Sequence, residues 1–319
     1  MKKISNFFEN YLKAKPVFEN KKVLQSSYTP DELIHREKQM EEVARILAPA
    51  LRGERPSNLF IYGKTGTGKT ISIRKTVKEL DKIAKARKTS LEIIYINCKL
   101  KKVADTEYRL IAQIAREMGK DIPATGLPTE EVYKIFYNEL DNRNSLFIII
   151  LDEIDQVVKK MGDELLYNLT RINSELETSQ ICLIGISNDT QFTTYLGPRV
   201  KSSLSEEELL FPPYDALQLQ DILKERSKIA FQEGAIEEGV IEKCAAYAAR
   251  DHGDARRALE LLRVSGELCE RTGDDKITLK YLDEAENKIE KDKIYELVET
   301  QPKQHQLTLY AILKVSEKR

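Results

Sequence analysis

The sequence predicts an α/β protein: a parallel sheet flanked by helices, followed by an all-helical region. Three observations predict it. Short apolar runs alternate with helical patterns between residues 58 and 211. Those runs are apolar at consecutive positions, as expected of strands covered on both faces. After "FPPY" at 211–214 the strand signal stops, and amphipathic helical patterns follow one another, split by Gly234, Gly253 and Gly273.

The elements follow in order. Residues 1–30 read as an irregular or partly helical arm. "TPDELIHREKQMEEVARILAPAL" reads as a helix with Thr29 as N-cap, Pro30 at its first position and acids in its first turn. "NLFIY" (58–62) is the first strand and a helix over 70–87 follows it. "LEIIYIN" (91–97) is the second strand, with helices over 105–118 and 129–141. "LFIIIL" (146–151) is the third, and a helix over 162–176 leads to "QICLIGIS" (180–187) and the shorter "ELLF" (208–211). The expected core is a five-stranded parallel sheet. Pro212–Pro213 marks a boundary. Helices over 215–233, 237–251, 254–271 and 278–298 form the next domain. "HQLTLYAILKVSEK" after Pro302 is a last helix that cannot bury its own apolar face, so it reads as the opening of a further, absent domain. The expected division is an arm (1–30), an α/β domain (31–213), a helical domain (214–300) and this final helix (301–319).

Composition excludes several classes. Lys plus Arg number 51 against 52 acids, so nucleic-acid contact must come from local patches and not from a global field. Cys98, Cys182, Cys244 and Cys269 are scattered without a C-x-x-C pair, and with three histidines a zinc site is not expected. Reduced thiols fit a cytoplasmic setting. The apolar run at 146–151 is too short to span a bilayer, and the N-terminus lacks a signal-peptide core, so no membrane partner is expected.

"GKTGTGKT" at 63–70 lies between the first strand and a helix, the context that confirms a phosphate-binding loop. Its glycines let backbone N–H groups approach phosphate oxygens, and the helix beginning near Gly68 points its positive end at the same anion. The expected nucleotide-binding residues are Gly63, Lys64, Thr65, Gly66, Thr67, Gly68, Lys69, Thr70 and Ile71. Lys69 would reach the β- and γ-phosphates of ATP, and the Thr70 hydroxyl would ligate Mg²⁺. "LFIIILDEID" ends an apolar strand in two acids. Asp152 is the expected second Mg²⁺ ligand and Glu153 the base that polarises the attacking water. Alone, such a pair also suits an ordinary polar strand end; downstream of a phosphate loop it points to nucleotide hydrolysis.

"YTPDELIHRE", the phosphate loop, "LDEID", "GISND" (185–189), "PRVKSSL" (198–204), "FPPYDALQLQDILKER" (211–226) and "GDARRALELLR" (253–263) occur in this order. Over residues 20–319 the chain therefore resembles the archaeal origin-recognition and Cdc-six-type initiators of DNA replication, a branch of the AAA+ ATPases. The resemblance implies a P-loop AAA+ five-stranded sheet followed by a helical lid, with ATP in the cleft between them. It implies that Asn188 is the sensor 1 residue. Arg199 would be an arginine finger acting in trans, with Gly197 standing where the family has an acid. Arg256 would be sensor 2, chosen over the adjacent Arg257 by the family register. Tyr214 and Arg226 would line the nucleotide pocket, with His35 and Arg36 near the base. It implies DNA contact through an insertion at 99–126 carrying Lys99, Lys101, Lys102, Arg109, Arg116 and Lys120, cations that would equally suit a solvated helix face. The implied function is an ATP/ADP switch that binds double-stranded origin DNA and helps load the replicative helicase together with other initiator protomers. The implied location is cytoplasmic and nucleoid-associated. Two rivals use the same loop and acids. One is a clamp-loader-like or remodelling ATPase, which "HRE" and "PRVKSSL" argue against. The other is a STAND-type signalling ATPase, which "GDARRA" argues against.

Overall fold

The computed structural model describes residues 15–99, 106–123, 126–204 and 206–316. They form two compact units, residues 29–213 and residues 15–28 with 214–316.

The first unit begins with nonhelical chain and then helix α1 (Glu37–Leu47). The helix does not start at Thr29. His35 adopts a left-handed φ of 62° and Arg36 stands at the N-cap with φ −132°. The Arg36 side chain turns inward, its Nε donating to Thr67 O (2.8 Å) and its Nη2 to Pro212 O (2.6 Å). These long-range bonds outweigh the local capping signal around Thr29.

Strand β1 (Asn58–Tyr62) leads through the glycine loop into α2 (Lys69–Arg87), and β2 (Leu91–Asn97) follows. Next come α3 (Glu107–Glu117), α4 (Thr129–Asp141), β3 (Leu146–Asp152), α5 (Ile154–Met161), α6 (Glu164–Arg171), β4 (Gln180–Ser187), α7 (Pro198–Leu204) and β5 (Glu206–Leu210). The helix expected over 162–176 is shorter, giving way to a 3₁₀ turn at Ile172–Ser174. Helices α5 and α7, each under nine residues, were too brief for a periodic signal.

The sheet order is β2-β3-β4-β1-β5, with every pairing parallel. Central strands β1 and β3 are buried along their whole length. Side chains alternate between two cores. On one face Leu59, Ile61, Ile148 and Ile150 meet Val43 and Leu47 of α1 and Ile73 and Val77 of α2. On the other, Phe60, Phe147 and Ile149 meet Leu110 of α3, Phe136 of α4 and Leu165 of α6. The register aligns Asp152 with Asn97 on one side and Ile186 on the other, and Tyr62 with Ser187 and Leu210. All five strands thus end at one edge, where open parallel sheets bind ligands.

The second unit contains α8 (Ala216–Ala230), α9 (Val240–Arg250), α10 (Ala255–Thr272), α11 (Leu279–Glu299) and α12 (Lys303–Ser316). Helix α8 opens with a reciprocal capping box between Asp215 and Gln218. Residues 15–28 contribute to this unit's core through Val17, Val23 and Leu24. Phe18 stacks on Phe231 at 4.8 Å, and Ala230 O accepts from the N–H groups of Glu19 and Asn20. Buried residues of α11 end at Ile289, and α12 has none. No helix among the described residues is long and apolar enough to cross a membrane.

Candidate nucleotide site

The loop from Gly63 to Gly68 is held from several sides. Lys69 is buried, and its Nζ donates to Gly63 O (2.6 Å) and Lys64 O (2.7 Å). The Thr67 hydroxyl also donates to Lys64 O (2.9 Å), while Arg36 holds Thr67 O from behind. Gly68 takes φ 85° at the start of α2, in the left-handed region that favours glycine. At Gly63 the constraint is proximity: a Cβ would fall 2.5 Å from Phe211 O, where the end of β5 passes. Lys64 and Thr65 are exposed, and Thr70 and Ile71 are half-buried in the first turn of α2.

Asp152, the last residue of β3, is buried. Its Oδ2 accepts from the Thr70 hydroxyl (2.9 Å) and the Tyr95 hydroxyl (2.5 Å), and its Oδ1 from the Glu153 N–H (3.0 Å). Glu153 has φ 57°, uncommon for a nonglycine residue and the kind of strain that gathers at functional sites. Its carboxylate lies 3.7 Å from Lys99 Nζ. Burial, then the charges of Asp152, Glu153 and Asp155, push the neighbouring Cys98 thiol up to about 12, so it stays protonated. Asn188 immediately follows β4, its N–H donating to Asp155 Oδ1 at 3.3 Å. Lys69, Thr70, Asp152, Glu153 and Asn188 therefore stand along one sheet edge.

Arg199 is exposed in the first turn of α7, on an open pocket of about 510 Å³ shared with Tyr167, Arg171, Ser202 and Ser203. The pocket has no residue in common with the loop–carboxylate group. Gly197 just before it donates its N–H to Asp163 Oδ2 (2.6 Å), and a Cβ there would lie 3.1 Å from that oxygen. An acid at 197 would stand beside Asp163.

In the helical unit, Asp254 caps α10 by accepting from the N–H groups of Arg256 (2.7 Å) and Arg257 (3.3 Å). The two arginines then diverge. Arg257 is buried, bonded to Glu286 (2.8 Å) and Glu290 (3.0 Å) and 3.6 Å from Asp251. Arg256 is exposed. Tyr214 is a core residue, and half-buried Arg226 stacks over Tyr28 at 4.6 Å, burial holding its pKa below the usual arginine range.

Among the cations expected to meet DNA, Lys101 and Lys102 lie outside the described residues. Lys99 faces Glu153, and Lys120 lies 3.7 Å from Glu139. Arg116 binds Ile122 O through both Nε and Nη2. Arg109 sits in the first turn of α3. His35 shapes the entry to α1, its N–H donating to Glu37. Tyr95, Asp155 and Asp163 were not singled out in the sequence. Of these, Tyr95 is the one aromatic ring in β2.

A glycine loop at a helix start, a lysine already donating to oxygen, and a hydroxyl and a carboxylate 2.9 Å apart make a donor set that fits a nucleoside triphosphate with Mg²⁺, a cation that prefers hard oxygen ligands. With the parallel sheet, these features define a P-loop protein of the AAA class. The sequence matches the AAA domain family over residues 52–189 and the Cdc6 AAA+ ATPase-type lid domain over residues 220–287. It is 51% identical over 318 residues to the ORC1-type DNA replication protein of Thermococcus onnurineus, covering 98% of this chain and 76% of the relative. It is 52% identical to that of Pyrococcus abyssi, covering 98% and 75%. The structure matches that of the Aeropyrum pernix ORC1 protein, solved in complex with DNA, with 44% identity and a TM-score of 0.82 over 94% of this chain and 77% of the other. It also matches the Aeropyrum pernix ORC2 protein at 26% identity, with a TM-score of 0.71 over 84% and 72%. The chain belongs to the ORC1-type DNA replication protein family.

Proposed function

We propose that this chain is an ATP-dependent initiator of DNA replication that binds double-stranded origin DNA and helps load the replicative helicase, working in the cytoplasm at the nucleoid with other initiator protomers. ATP binding and hydrolysis to ADP are the switch. The observation that carries the reading is the Thr70–Asp152 contact beside the glycine loop, in a chain of this family.

In this reading the loop N–H groups from Gly63 to Thr70 take the phosphates. Lys69 exchanges its carbonyl partners for β- and γ-phosphate oxygens. Thr70 and Asp152 hold Mg²⁺, which supplies neutralisation of phosphate charge when bound. Glu153 accepts the proton of the attacking water and Asn188 orients that water. Tyr214, Arg226, His35 and Arg36 serve the nucleotide's base side, and Arg36 also holds the loop through Thr67 O. Arg256 answers to the γ-phosphate, supported by its exposure beside a structurally committed Arg257. Arg199 serves the nucleotide of a neighbouring protomer. The relative solved in complex with DNA supports DNA as partner. Lys99, Arg116 and Lys120 would then exchange their present partners for phosphates, with Lys101, Lys102 and Arg109 beside them in sequence.

Three measurements test this. Lys69→Ala should abolish binding of a fluorescent ATP analogue. Glu153→Gln should bind it normally yet lose hydrolysis by about 10² to 10⁴, the usual scale of general-base catalysis. Anisotropy titrations of origin and random duplexes, with ATP, ADP or neither, should show a nucleotide-dependent preference for origin DNA that Lys69→Ala lacks. Equal hydrolysis by wild type and Glu153→Gln would overturn the base. Equal affinity for both duplexes in every nucleotide state would overturn the initiator reading.

A further inference from the structure

We propose that Tyr95 is a positioning residue for Asp152, its hydroxyl holding one carboxylate oxygen so that the side chain is oriented before Mg²⁺ arrives. The proposal deepens the nucleotide reading above and rests on it.

Three observations converge on this side chain. Its hydroxyl lies 2.5 Å from Asp152 Oδ2, the oxygen that also accepts from Thr70. Its ring lies under the guanidinium of Arg74, 4.0 Å from the centroid. Arg74 is one turn along α2 from Thr70, so a single helix supplies both the hydroxyl on Asp152 and the cover on Tyr95. Third, the other carboxylate oxygen is held by the Glu153 N–H. A buried carboxylate with three donors is fixed in rotation. A hydrogen bond to an ionised acceptor is roughly twice as strong as a neutral one.

Packing alone does not require this tyrosine. A phenylalanine would keep the ring beneath Arg74 and lose only the hydroxyl. A phenol is protonated near neutral pH, so its hydroxyl is a donor to the carboxylate. The donors on Oδ2 also differ in role. Thr70 also has an oxygen lone pair to offer a metal while its O–H donates to Asp152, whereas Tyr95 has no ligand role and serves only to hold the carboxylate. Removing such an outer partner of a metal ligand typically costs 10- to 100-fold in metal affinity.

The test uses the whole chain and a fluorescent ATP analogue, titrated first in EDTA and then with increasing Mg²⁺. Tyr95→Phe should match wild-type affinity in EDTA and require about tenfold more Mg²⁺ for the half-maximal Mg²⁺-dependent gain in binding. An unchanged Mg²⁺ midpoint would overturn the proposal. Equal weakening with and without Mg²⁺ would also overturn it, by showing that Tyr95 only supports the fold. If wild type showed no Mg²⁺-dependent binding, the nucleotide reading itself would fall and this assignment with it.

Discussion

Gly63 shows how much one residue at the strand–loop junction decides. The Phe211 N–H donates to Tyr62 O (2.8 Å), which draws the end of β5 across the start of the loop. A Cβ at 63 would meet Phe211 O at 2.5 Å and Thr67 Oγ1 at 3.1 Å. The first of these is backbone and cannot rotate away. Gly63→Ala should therefore lower stability by about 1–3 kcal/mol, the usual cost of overpacking, and weaken ATP binding at least tenfold as the loop shifts. Urea denaturation and nucleotide titration check the two effects, and a variant unchanged in both would show that β5 yields freely. The loop and acid pair were legible because their chemistry is local: phosphate approach demands glycine, and Mg²⁺ demands hard oxygens at a strand end. Arg36, Tyr95 and Asp163 act on residues 31, 57 and 34 positions away, respectively. No window of sequence brings those partners together.

At the scale of elements, β1, β3 and β4 coincide with apolar runs because burial on both faces needs continuous hydrophobicity, and edge strand β2 was still marked by the four aliphatic residues of "LEIIYIN". Strand β5 was partly hidden because it begins in Glu206, Glu207 and Glu208 at the sheet's edge. Helix α10 carries the sharpest contrast between neighbours. Its 3.6-residue period sends Arg257 inward to the acids of α11 and leaves Arg256 exposed, a distinction that the adjacent letters do not carry. Arg257→Ala should leave buried Glu286 with only the exposed Arg250 guanidinium at 3.2 Å and lower stability by about 1–3 kcal/mol. Arg256→Ala should change stability by less than about 0.5 kcal/mol and reduce the preference for ATP over ADP. Denaturant unfolding and competition binding separate the two. Similar destabilisation by both variants would mean that Arg256 also holds the helix.

At the scale of the whole molecule, a net charge of −1 provides no general attraction to another protein or to DNA, so assembly must be directed by particular groups. In the proposed reading Arg199 is one such group. It is exposed beside Arg171 on a pocket whose lining includes no acid, and that pocket shares no residue with its own chain's phosphate loop. Two neighbouring guanidiniums with adjacent hydroxyls favour an anion brought from outside, and a nucleotide bound to a second copy supplies one. An arginine acting in trans contributes only when protomers meet. The ATP affinity of dilute Arg199→Ala should therefore equal that of wild type. Hydrolysis per chain should rise with protein concentration in wild type and remain flat in Arg199→Ala. The gap at saturation should be on the order of 10³, the lower range for an arginine finger. The check is a turnover series across protein concentration, with light scattering on the same samples to follow association. A loss of ATP affinity in the dilute variant would place Arg199 in its own chain's site. Parallel concentration curves for the two proteins would remove it from the reaction altogether.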